Sequence, residues 1–62
     1  MKKWMIIALA ENTLFAMKGQ IPEDEYEVFR KDIAARTDKM KKSDLMNLFK
    51  PIHLRYHEVR CK

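Results

Sequence analysis

The chain is 62 residues long and holds a single cysteine, so it must fold with little surface to bury and with no internal disulfide. A domain of this size hides only roughly 60% of the surface that its unfolded chain exposes, which leaves it marginally stable on its own core. Disulfides, a metal or association with another chain are the usual aids. Cys61 has no partner within the chain, so association is the leading expectation, with a homo-oligomer as its simplest form. An unpaired thiol fits a reducing compartment, and we read the chain as one cytoplasmic domain over residues 1–62. A Cys61–Cys61 link between two copies is the alternative use of that thiol.

Met1-Lys2-Lys3 followed by Trp4 to Ala10 imitates the basic and apolar regions of a signal peptide, and Ala8-Leu9-Ala10 resembles a cleavage site. Glu11-Asn12 interrupts the apolar run after seven residues. A bilayer span needs about 20. The run is therefore expected in the core, and no membrane partner is expected. The formal net charge of +4 is unevenly spread: residues 1–35 carry five Lys/Arg against six Asp/Glu, and residues 36–62 carry eight against three. A basic C-terminal half suits an acidic partner, either a protein or nucleic acid.

On a helical wheel Trp4 to Met17 shows no polar stripe, because Lys3, Glu11, Asn12 and Thr13 point in different directions. That pattern predicts two strands instead: Trp4 to Leu9 buried on both faces, a turn near Glu11-Asn12, and Thr13 to Met17 returning antiparallel. Gly19 ends this unit. Pro22-Glu23-Asp24-Glu25 opens a helix over about residues 23–36, with proline suited to the first turn and carboxylates set against the positive end of the dipole. Tyr26, Phe29, Ile33 and Met40 give it an apolar face, Glu27, Arg30, Lys31 and Asp38 face solvent, and Thr37-Asp38 ends it. Ser43 is the expected N-cap of a short helix carrying Leu45, Met46, Leu48 and Phe49, which Pro51 stops. Beyond it Ile52, Leu54 and Tyr56 alternate with His53, Arg55 and His57, the pattern of a strand with one buried and one basic face. A helix there would group Ile52, Tyr56 and Val59, but it would leave Leu54 astray and start beside Lys50, a weak cap. The expected fold is thus α+β, a ββααβ domain whose segment Ile52 to Arg60 pairs with the first strand in a three-stranded antiparallel sheet.

Leu14, Met17, Gly19, Ile21, Glu25, Tyr26 and Ile33 together resemble the Gly-x-Ile-Thr-x-Glu-Glu-Phe hairpin of short C-terminal oligomerisation domains, the SHOCT type. The resemblance covers residues 14–33, with Pro22 where that motif has threonine. Such domains are helical before the glycine. The resemblance therefore implies an alternative fold, an all-α helical hairpin or bundle that oligomerises.

Little here suggests catalysis. His53, His57 and Cys61 stand four apart, a spacing that a helix would align toward a metal. In a strand, however, the two histidines lie about 13 Å apart, and no metal or other cofactor is expected. Glu23, Asp24, Glu25 and Glu27 form one solvated helix start, where a general acid–base pair needs two carboxylates facing each other across a pocket. Cys61 lacks the rigidly held base that a nucleophile needs, and one glycine cannot build a phosphate loop. We expect no enzyme.

What is left is binding. Lys39, Lys41, Lys42, Lys50, His53, Arg55, His57, Arg60 and Lys62 are the basic candidates for an acidic protein or nucleic acid. Trp4, Tyr26 and Phe29 are the apolar interface candidates, because aromatic side chains supply much of the contact area between proteins. The expected function is a small regulatory or inhibitory protein that binds a larger protein target, in form resembling host-takeover or defence-inhibiting proteins of phages and mobile elements. A basic nucleic-acid-binding regulator of transcription is the rival.

Overall fold

A computed structural model describes residues 2–37 and 39–61. They form three helices, α1 (Lys3–Ala16), α2 (Glu23–Ala34) and α3 (Lys42–Arg60), with no strand among the described residues. The ββααβ arrangement and its three-stranded sheet are therefore corrected: the domain is all-helical, the class that the alternative fold implied.

The first two expected strands are one helix. Ile6, Ala10, Thr13 and Leu14 are buried along it, and Met17 at its C-cap continues the same stripe. Offsets of four, seven, eight and eleven from Ile6 keep these residues on one face of a helix. Thr13 sits within this face because its hydroxyl donates to the Leu9 carbonyl one turn back, at 2.7 Å. Alanine, leucine, methionine and glutamate dominate the segment and are strong helix formers. The wheel lacked a polar stripe for a different reason: the face opposite the core is also apolar. Glu11 and Asn12, read as a turn, lie inside the helix.

Gly19 breaks the chain as expected. It adopts φ +84°, the left-handed region that glycine enters without a Cβ clash. The turn lets Gln20 satisfy two carbonyls at the end of α1. Its backbone N–H donates to Met17 at 2.9 Å, and its side-chain amide donates to Ala16 at 2.7 Å. Pro22 then caps α2, whose first turn holds Glu23, Asp24 and Glu25. Ile33 is buried, Tyr26 and Phe29 are half-buried, and Arg30 and Lys31 face solvent. The helix stops at Ala34, about two residues before its expected end. Asp38, which was placed at that end, lies outside the described residues.

Lys41, rather than Ser43, precedes the first residue of α3, and its backbone N–H donates to the Asp44 carboxylate at 3.3 Å. This is half of a capping box, because lysine has no acceptor with which to complete it. The expected stop at Pro51 and the expected strand after it are both corrected, since the helix runs through to Arg60. Pro51 is exposed, so its ring takes no place in the core. On the inner side Leu45, Phe49 and Ile52 are buried, and Leu48, Tyr56 and Val59 pack against the same core. Burial on both sides of the proline offsets the one lost backbone hydrogen bond. The alternation of residues 52–57 also fits a period of 3.6 once Leu54 is left outside, and Leu54 is indeed exposed.

The core joins Ile6, Ala10, Leu14 and Met17 to Ile21 of the connecting turn, Ile33 of α2, and Leu45, Phe49 and Ile52 of α3. The largest contact between elements is that of α1 with α3.

Candidate binding surfaces

The outward side of α1 carries four large exposed apolar residues alongside Glu11 and Asn12. Trp4 is 65% exposed, Met5 42%, Leu9 50% and Phe15 70%. At 100° per residue, Trp4 and Phe15 fall within about 20° of each other, three turns apart, with Ala8 on the same line between them. Glu11 lies as close to this line as Ala8 does, and Asn12 lies about 40° further round. Phe15 also walls a shallow cleft of about 260 Å³ between α1 and α2, floored by Leu14, Ile33 and Ala34 and bordered by Tyr26, Arg30 and Arg36. Met5 and Leu9 lie about 80° and 120° round the helix from Phe15. Large exposed apolar side chains concentrated on one helix are a common mark of an interaction site.

Of the three expected apolar candidates, Trp4 lies on this face and Tyr26 lies across the cleft from Phe15, whereas Phe29 packs half-buried against the core. Sequence reasoning missed Met5, Leu9 and Phe15 as surface residues. The signal for them was the missing polar stripe, which marks a helix with two apolar faces as readily as a buried strand.

The basic residues separate into groups. Lys39 and Lys41 are exposed ahead of α3. Lys42, Lys50, His53, His57 and Arg60 share one flank of the helix, spanning an arc of about 80°. Arg55 leaves this set. In a strand it would sit on the face of His53 and His57, but on the helix it turns to the opposite flank. There its guanidinium donates to Glu25 of α2 at 2.7 Å and to Glu58 at 3.2 Å. The Glu25 carboxylate, with Glu58 behind it, raises the Arg55 pKa above the usual guanidinium value. Arg55 therefore ties α3 to α2. Arg60 lies over the Tyr56 ring at 5.8 Å from its centroid, a cation–π contact. Tyr56 is half-buried against the core. Lys62 lies outside the described residues.

The helix does align His57 with Cys61, whose Sγ lies 3.8 Å from His57 Nε2. No group of three His, Cys, Asp or Glu residues among the described residues is placed to hold a metal ion. Among those residues no helix is long and apolar enough to cross a membrane. Glu23, Asp24 and Glu25 form the first turn of α2, where Asp24 accepts from the Glu25 backbone N–H at 3.0 Å. Glu27 is held by Arg30 at 2.8 Å, which keeps its carboxyl below the usual carboxylate range. These acids are accounted for by the helix start and by an i,i+3 ion pair.

No family model, no curated protein and no solved structure matches this chain.

Proposed function

We propose that this chain is a non-catalytic regulatory or inhibitory protein that acts by occupying a surface of a larger protein, with the outward face of α1 as its anchor. The supporting observation is the set of four large apolar side chains that the fold leaves in solvent on that helix. Buried aromatic anchors carry most of the energy in protein interfaces, and rim charges mainly affect the rate of encounter. The basic flank of α3 favours a second reading, in which the chain binds nucleic acid and regulates transcription.

Alanine substitution separates the two. Trp4→Ala and Phe15→Ala are each expected to weaken partner binding by about 2 kcal/mol, or roughly 30-fold in Kd. Lys50→Ala combined with Arg60→Ala should cost only about 1 kcal/mol, as exposed charges do. Affinity is measured on the partner captured from nuclease-treated lysate of the source cells, and circular dichroism of each variant confirms that the helices persist. The opposite ranking, with affinity for a nucleic acid falling at a log–log salt slope of roughly −3, would assign the function to the basic flank.

A further inference from the structure

We infer that α3 docks on duplex DNA, in a sequence-independent contact with the phosphates made by Lys42, Lys50 and Arg60, with His53 and His57 between them. The inference rests on the second reading above, in which the basic flank of α3 takes nucleic acid. It adds the form of that nucleic acid and the cations that hold it.

Charge distribution is the first argument. The isoelectric point is about 9.4, and cations gathered along one helix of so basic a domain are the electrostatic footprint of a nucleic-acid-binding protein. The arc of about 80° that these residues span holds no carboxylate. Asp44 and Glu58, the acids of α3, stand about 80° or more outside it. Both are engaged elsewhere, Asp44 by the Lys41 backbone N–H at 3.3 Å and Glu58 by Arg55 at 3.2 Å. α2 carries five of the nine acidic residues of the chain, Glu23, Asp24, Glu25, Glu27 and Asp32. Arg55 ties α2 to α3 through Glu25, and it points about 180° from the centre of the basic arc. The fold thus holds most of its acids away from this flank. Among the described residues Lys42, Lys50 and Arg60 have no carboxylate partner.

Dimensions select the duplex. From Lys42 to Arg60 the flank runs about 27 Å along the helix axis, the rise of about eight base pairs. A helix about 10–12 Å across enters the major groove of B-DNA, which is about 12 Å wide. The deep, narrow major groove of duplex RNA does not admit it. Single strands need exposed aromatic rings on which bases stack. Tyr56, the aromatic ring nearest the arc, is half-buried against the core and covered by Arg60. A protein partner fits this flank poorly, because lysine is depleted from protein interfaces and Met46 is the one large apolar side chain exposed within the arc.

The test is fluorescence anisotropy of a labelled DNA duplex of about 20 base pairs. It is titrated with the full chain in reducing buffer to about 1 mM, which covers weak, sequence-independent binding. Three phosphate contacts imply a log–log salt slope of about −2.7, so affinity should fall roughly 40-fold between about 50 and 200 mM salt. A duplex of scrambled sequence should behave alike. Lys50→Gln combined with Arg60→Gln leaves one contact, and the fall over the same range should shrink to roughly 3-fold. Lys18→Gln combined with Lys31→Gln lowers the net charge equally, on α2 and the turn after α1, and should keep the full slope. All four positions are exposed, and circular dichroism should show the helices intact in both double variants.

A salt slope shallower than about −1 for the wild-type chain overturns the inference, as do equal losses in the two double variants. So does binding at least as tight to a single strand or an RNA duplex of the same sequence, to an acidic peptide, or to vesicles of anionic lipid. A preference for the single strand or the RNA leaves the nucleic-acid reading standing, whereas absence of binding to any nucleic acid removes both. The protein-binding role proposed for α1 is tested by capture from nuclease-treated lysate, and it stands or falls separately.

Discussion

Phe49→Ala is expected to leave the domain largely unfolded. Phe49 is completely buried at the point where α3 meets the core. Truncating a buried phenylalanine to alanine costs about 3–5 kcal/mol, through lost transfer energy and the cavity left behind. A chain of this length has a total stability of only about 3–9 kcal/mol, at roughly 0.05–0.15 kcal/mol per residue. One substitution can therefore remove most of it. In a thermal melt followed at the helical circular dichroism band, the midpoint should fall by about 20 °C, or the transition should be lost. Phe15→Ala makes the same chemical change on the outward face of α1 and should shift stability by no more than about 0.5 kcal/mol. Equal effects for the two phenylalanines would contradict the burial pattern that separates the core from the outward side of α1.

Pro51→Ala should act in the opposite direction. Proline in a helix interior costs about 3 kcal/mol relative to alanine, through the missing N–H and the clash of its ring with the carbonyl one turn back. In α3 that carbonyl belongs to Asn47. Pro51 is exposed, so alanine restores the backbone bond without opening a cavity. A gain of about 2 kcal/mol is expected, or roughly 10 °C in the midpoint. If stability falls instead, the backbone geometry that Pro51 imposes is what seats Ile52 and Tyr56 on the core, and the proline is a structural requirement.

The parts of the fold that were legible in the sequence are those specified by local chemistry. Gly19 and the Pro22 to Glu25 start of α2 each have one physical explanation, and the structure uses it. The parts that were misread are those where two periods fit the same residues. Ile52 and Tyr56 satisfy spacings of both two and four, and only the location of Leu54 decides between them. Pro51 reads as a stop on local rules, yet apolar residues on both of its sides hold the helix together, an effect of tertiary packing that propensity does not contain. The exposed apolar residues of α1 were half legible. Trp4 stood out by its chemistry, but Met5, Leu9 and Phe15 were hidden by the assumption that an apolar run without polar relief must be internal. Arg55 was misplaced for the same reason as the strand, because its flank depends on which period is correct.

The dominance of the α1–α3 contact also bears on how the chain is made. α1 leaves the ribosome before α3, the helix that covers its inner face. Until α3 has emerged, both sides of α1 are bare, and α2 offers it only partial cover. Folding must therefore wait until α3 has been synthesised, since domains fold as units and the decisive contact here joins segments far apart in the chain. During that interval the nascent segment from Trp4 to Met17 resembles the sticky, exposed stretches that chaperones bind. The apolar residues that α1 leaves in solvent in the folded molecule are thus a hazard to an unfinished one.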